Sequence, residues 1–169
     1  MKEKLLKCLP ILFLICAAFI FTRDNSPVMT WLYVQQEHPL LEGVSIQTDR
    51  EVYSKWHSTV NYQILNFSQE YIQGGHPDFR DDFRVEQWTE TGWRYWTIDL
   101  EHPDNAGYMN AAVGYELSSG ETGMEFSVSL KKALPELAPG RYRLAWDFDT
   151  GSLQEGWTHY TVYREFTIE

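Results

Sequence analysis

The sequence predicts an all-β fold: an antiparallel β-sandwich of about seven to eight strands, preceded by an N-terminal hydrophobic leader or anchor helix. Three observations predict it. Apolar and polar residues alternate with period two in at least four segments, the signal of strands with one buried face. Turn residues punctuate the chain at short intervals. No long segment carries the 3.6-residue period of an amphipathic helix. The aromatic content of 15%, with seven Trp and ten Tyr, suits a pleated surface on which flat side chains pack well. At 169 residues the chain is long enough for one core of ordinary size.

In chain order, residues 1–22 read as a signal peptide or membrane anchor. Lys2, Lys4 and Lys7 precede the uncharged run 9–21, the layout of a basic n-region and an apolar h-region. The run is short for a membrane span, which needs about 17–25 residues, but residues 5–22 extend it. Basic residues ahead of the run place the domain outside the cytoplasmic membrane. Cys16 follows Phe13-Leu14-Ile15, a poor match to a lipidation site. Cleavage after Ala18 puts small residues at both recognition positions but leaves Phe19-Ile20-Phe21 on the product. Residues 23–42 read as a linker, because Asn25, Ser26, Pro27, His38 and Pro39 flank one short apolar segment, Trp31–Val34. That segment is expected to be a strand or turn docked on the domain.

The domain proper is expected over 43–169. Val44 and Ile46 begin a strand. Val60, Tyr62 and Ile64 form a second, ending near Asn66. Residues 69–82, with Gly74-Gly75 and Pro77, read as a long loop. Phe83 and Val85 start a third strand. Glu90-Thr91-Gly92 then turns the chain into Trp93–Ile98 as a hairpin. Residues 101–110 form a second long loop. Val113, Tyr115 and Leu117 precede a turn at 118–122. Met124, Phe126, Val128 and Leu130 then alternate cleanly with polar residues. Residues 131–136 suit one helical turn stopped at Pro135. Residues 150–156 read as a loop, and Tyr160, Val162, Phe166 and Ile168 line the last strand. Arg164 interrupts that apolar series, so a bulge or a side chain reaching for solvent is expected there.

The organising stretch is 137–144. Pro139 and Gly140 make a turn, since Pro fixes φ and Gly tolerates positive φ. Tyr142, Leu144, Trp146 and Phe148 then alternate with Arg141, Arg143, Ala145 and Asp147, as in a half-buried strand. Leu137, Pro139, Gly140 and Tyr142 are the candidate structural corner. In such a corner a Tyr hydroxyl bonds backbone a few residues upstream. The expected core includes Tyr62, Ile64, Phe126, Val128, Tyr142, Leu144, Trp146 and Val162.

Charge and chemistry narrow the function. The formal net charge is −10. Residues 1–24 hold four of the fourteen basic residues and two of the twenty-four acidic ones, so the remainder carries −12. Such a surface repels phosphate backbones, which argues against nucleic acid as a partner. Both cysteines, Cys8 and Cys16, lie in the leader, so the domain holds no thiolate nucleophile or Cys-based metal site. His38, His57, His76, His102 and His159 show no ligand spacing. Two acidic groups, Asp78, Asp81 and Asp82, and Asp147, Asp149 and Glu155, supply too few oxygens in the right order for a calcium loop. No catalytic residue, metal or cofactor is expected. Trp88, Trp93, Trp96 and Trp157 are candidates for an aromatic platform for sugar rings. Trp146 and Trp96 fall on apolar sides of their strands and read as core. Trp93 and Tyr95 fall on the other side and are the candidate ligand-binding residues. Asn66-Phe67-Ser68 is a glycosylation sequon.

These pieces together resemble the small bacterial immunoglobulin-like domains of cell-envelope proteins, over roughly residues 43–169. The resemblance is carried by Tyr53-Ser54, Asn66, Val85-Glu86 with Gly92-Trp93, Gly120-Glu121-Thr122, and Leu137-x-Pro139-Gly140-x-Tyr142-Arg143. It implies an extracytoplasmic, non-catalytic interaction or spacer module whose partner is an envelope protein or glycan, touching the membrane only through residues 5–22. The two long loops, 69–82 and 101–110, depart from the pattern. A glycan-binding module is the alternative. An intracellular proteinase-inhibitor-like sandwich fits less well because of the export signal.

Overall fold

The computed structural model describes residues 27–57, 59–77, 83–98, 103, 114–154 and 156–169. The leader, residues 1–22, and most of loop 101–110 lie outside the described residues. In chain order the strands are β1 (Met29–Tyr33), β2 (Val44–Thr48), β3 (Val52–Tyr53), β4 (Thr59–Asn66), β5 (Ile72–Gly75), β6 (Phe83–Thr89), β7 (Gly92–Ile98), β8 (Gly114–Leu117), β9 (Glu121–Thr122), β10 (Phe126–Ser129), β11 (Gly140–Ser152) and β12 (Gly156–Ile168). One short helix, α1, spans Leu130–Ala133.

Two sheets form. The larger runs β1-β7-β6-β11-β12-β3, and β5 continues the line of β6 against β11 with β8 outside it. The smaller runs β10-β4-β2, with β9 also on β4. The long β11–β12 ladder pairs Gly140 with Ile168 at one end and Ser152 with Gly156 at the other, in one unbroken register.

The core lies between the sheets because each strand turns its apolar set inward. On β4 the residues Val60, Tyr62, Ile64 and Asn66 are buried in alternation. Across from them Tyr142, Leu144, Trp146 and Phe148 are buried on β11. All eight residues expected in the core are buried. Their rings pack face to face: Tyr62 on Phe83 at 4.8 Å, Trp146 on Phe148 at 5.1 Å. The Trp146 indole N–H donates to the Gly75 carbonyl at 2.9 Å, so burying it leaves no orphan donor. Asn66, at the end of β4, is wholly buried. Its side-chain nitrogen donates to the carbonyls of Glu70, Leu117 and Ser118, and its oxygen accepts from Ser68. It is a structural clamp between the β4–β5 connection and the end of β8, and the sequon has no free amide to modify.

Several expectations are corrected. The described residues hold twelve strand segments rather than seven or eight, because short segments pair at the sheet margins. The stretch read as loop 69–82 contains β5, and Ile72 is wholly buried there. Gly74 reads as a breaker, yet it serves close packing. A Cβ there would lie 2.6 Å from the Asp147 carbonyl oxygen and 2.8 Å from the Trp146 ring. The strand expected from Met124 is only Phe126–Ser129; Met124 is exposed, and Leu130 is buried from α1 instead. The helix does end before Pro135, at Ala133, with Leu134 as its extended C-cap. The loop expected at 150–156 shrinks to a tip, as β11 runs on to Ser152. Of the two options at Arg164, no bulge occurs, and the side chain instead reaches toward solvent, 36% exposed. It starts from the inward side near the edge, and its guanidinium reaches Thr48 at 3.3 Å and Glu51 at 3.1 Å. Trp96 is half-buried against Trp31 at 5.1 Å rather than in the core.

Candidate functional site

The outer face of the large sheet carries most of the clustered charge. Alternation puts Arg84, Glu86 and Trp88 of β6 there, together with Trp93 and Tyr95 of β7. From β11 come Arg141, Arg143, Ala145 and Asp147, and from β12 Thr161, Tyr163 and Glu165. The registers set them side by side: Arg143 opposite Glu86, Ala145 opposite Arg84, Asp147 opposite Thr161. The segment 34–42 crosses this face. Its Val34 N–H donates to the Trp93 carbonyl at 3.0 Å, and its Pro39 carbonyl accepts from the Thr161 N–H at 3.2 Å. His38 packs edge-on against His159 at 4.4 Å.

Under this crossing segment lies a chain of alternating charges. Glu37 accepts from Arg143 Nη1 at 2.9 Å. Arg143 Nε donates to Glu86 at 2.7 Å, and the other Glu86 oxygen accepts from Arg84 Nε at 3.2 Å. Arg84 makes a bidentate pair with Asp147, which also accepts from the Thr161 hydroxyl at 2.6 Å. Glu86 is wholly buried and Arg143 is 4% exposed. The Arg143 guanidinium lies over two rings, 4.3 Å from the Trp93 centroid and 3.9 Å from that of Tyr163. Such contacts are favoured because the ring face is negative. Burial alone pushes the Arg84 guanidinium down, but hydrogen bonding and charge from Asp147 and Glu86 outweigh it and hold the group above its ordinary value. It stays charged at any pH at which the fold exists.

The sequence-predicted residues fall partly into this picture. Trp93 and Tyr95 both lie on the outer face and both are half-buried. Trp93 is one of the two rings at the Arg143 guanidinium, and the Tyr95 ring lies 5.4 Å from the Arg84 guanidinium. The four tryptophans do not gather. Trp88 and Trp93 meet at 5.2 Å but are inclined by 67°, Trp96 is on the inner side, and Trp157 sits near the far end of β12. Flat stacking of a sugar across two rings needs coplanar faces, and this pair does not offer them.

At the corner, the Tyr142 hydroxyl donates to the Ala138 carbonyl at 2.6 Å and accepts from Gln87 at 3.1 Å. Gly140 adopts φ +153°. Burial raises the Tyr142 hydroxyl above its ordinary pKa. Leu137 packs on the core and Pro139 is exposed at the turn.

Asp147 is taken by Arg84 and Thr161, and Asp149 by His159 at 2.9 Å. Asp78, Asp81, Asp82 and Glu155 lie outside the described residues. Among the described residues no three His, Cys, Asp or Glu side chains converge as a metal site would require.

Sequence reasoning missed the charge chain, though a signal was present. Arg84 and Glu86 alternate on one strand, and Arg143 and Asp147 on another, with opposite signs on matching sides. Cross-strand pairing of such residues is favourable once the registers align. Two residues that carried the resemblance, Glu86 and Arg143, are direct partners here. Residues 40–167 match the bacterial Ig-like domain family. The chain belongs to that family. No curated protein and no solved structure matches it. The Ig-like span includes Arg84, Glu86, Arg143 and Asp147, whereas Glu37 lies ahead of it. The domain therefore carries its own ionic core on this face, and the crossing segment adds the last carboxylate.

Proposed function

We propose that this Ig-like chain is a non-catalytic module on the outer side of the bacterial cytoplasmic membrane, held there by residues 5–22, where it binds or spaces an envelope partner. The observation that carries this reading is the closure of the charge cluster. The residues most suggestive of chemistry bond one another beneath residues 34–42, so they brace the sheet. Tethering is favoured over release because cleavage after Ala18 would leave Phe19-Ile20-Phe21 at the new N-terminus. No helix among the described residues is long and apolar enough to cross a membrane, and residues 5–22 lie outside them.

The test combines protease treatment of intact and permeabilised spheroplasts with mass measurement of the N-terminus. The expected result is digestion of the domain without permeabilisation, in the membrane fraction, with residues 5–22 still attached. A domain protected until the membrane is opened, or found in the cytosol, would reject the reading.

A further inference from the structure

We propose that the tip of the β11–β12 hairpin, Leu153 with Trp157, is a second membrane contact that docks on the neutral lipid interface of the bilayer holding residues 5–22. This rests on the tethered reading above.

The sheet registers supply the geometry. Met29 pairs with Ile98, and Phe83 and Val162 flank Trp146. The β6–β7 register, Glu86 beside Tyr95, extrapolates to Phe83 beside Ile98. These residues therefore form one row across the sheet. β7 runs from its turn at Thr91 toward Ile98, and β1 is antiparallel to it, so the chain ahead of Met29 leaves at the Ile98 end. β11 and β12 continue beyond the row at that same end of the sheet, from Asp147 to Ser152, with the sheet's twist turning β11 by roughly 60–75° from β1 over three strand steps. That extension is about 20 Å at the usual rise of a strand.

The linker sets the other length. From Thr22 to Met29 is a span of seven residues, which reaches at most about 25 Å. A bilayer boundary at Thr22 thus stands no further from the row than about 25 Å, and any slack or bend brings it nearer. The hairpin tip rises from the same end of the sheet as the one from which the linker departs.

The tip has the chemistry for such a surface. Leu153 is 92% exposed and Trp157 45% exposed. The turn is built by glycine: Gly151 has φ +108° and Gly156 +88°, and a Cβ on Gly151 would collide with the Gly156 carbonyl. The backbone therefore presents Leu153 outward. Trp suits the lipid interface because its ring is apolar and its N–H is polar. Residues 148–158 contain no Lys or Arg but include Asp149 and Glu155. The contact is accordingly apolar, and anionic headgroups oppose it.

The full chain carrying Cys8→Ser and Cys16→Ser is given a single thiol by Gln154→Cys, next to Leu153 at the tip. A second version takes it instead at Thr91→Cys, at the opposite end of the sheet. Each is labelled with a fluorophore and reconstituted into phosphatidylcholine vesicles containing a lipid with a nitroxide near the headgroup. Flotation is measured first, quenching second. The expected result is that both proteins float and the dye at 154 is quenched several-fold more than the dye at 91. Flotation with equal quenching at the two sites overturns the docking while leaving the tether intact. Failure to float overturns the tether, and the docking with it.

Discussion

The two faces of β11 meet the same demand by opposite means. Inward, Tyr142, Leu144, Trp146 and Phe148 are buried among other apolar side chains. Outward, Arg143 and Ala145 are just as deeply buried, although that side faces no second sheet. Apolar burial stabilises by removing surface from water and needs little directional matching. Ionic burial is costly unless each charge finds a close partner and its hydrogen bonds. The inner face should therefore respond to lost volume, and the outer face to lost partners. Leu144 and Arg143, neighbours in sequence, belong to different energetic regimes.

The largest expected effects come from leaving a partner alone. Arg143→Ala leaves the wholly buried Glu86 with Arg84 as its remaining partner, and breaking a buried pair typically costs up to about 3–5 kcal/mol. Chemical denaturation of the domain should show that loss. Replacing Glu86 and Arg143 together by apolar residues of similar volume should restore most of it. If the single and the paired replacements destabilise equally, the outer face does not behave as an ionic unit. On the inner face, Leu144→Ala is expected to cost about 2–5 kcal/mol through lost contacts and a cavity. No second substitution on the outer face should rescue it.

A smaller effect belongs to the corner. Tyr142→Phe keeps the ring and removes the bond to Ala138, for an expected loss of about 1 kcal/mol. An unchanged denaturation midpoint would reduce the corner to a turn. The smallest effect is Glu37→Gln. Glu37 is 58% exposed at its side chain, and half-exposed pairs contribute about 0–1 kcal/mol. A loss as large as that of Arg143→Ala would show residues 34–42 to be integral to the ionic core.

Tyrosines on both faces give a pH test. Burial raises the hydroxyls of Tyr142, inward, and Tyr163, outward, and Tyr71 is pushed up to about 12, chiefly by its hydrogen bond to Glu116. In the unfolded chain these groups ionise near pH 10. The folded protein holds their protons more tightly, so the stability they contribute is complete below that pH and is lost as pH rises through the folded values. Thermal midpoints measured from pH 9 to 12 should fall, and fall less steeply for Tyr142→Phe. A flat profile would contradict the burial of the Tyr142 and Tyr163 hydroxyls and the Tyr71–Glu116 hydrogen bond.

How far the sequence could be read follows from the same contrast. Alternation on β4 and β11 displays the inner face directly, because apolar side chains announce themselves by type. The corner is legible for a similar reason, since Pro139, Gly140 and Tyr142 each have a local conformational role. The outer face is not legible this way. Arg143 and Asp147 look like solvated positions until Glu86, Arg84 and residues 34–42 are brought over them. Glu37, His38 and Pro39 have the composition of a linker. β5 is hidden because Gly74 signals a break locally, while its place is set by Trp146, far along the chain. In each case the deciding partner is distant in sequence.

The most direct measurement is a double-mutant cycle between Glu86 and Arg143, using Glu86→Gln, Arg143→Met and the pair, followed by denaturant unfolding. If the outer face is a closed ionic brace, the two losses should fail to add, with a coupling of about 0.5–3 kcal/mol and the double variant less destabilised than the sum of the singles. Additive losses, with no coupling beyond experimental scatter, would contradict it.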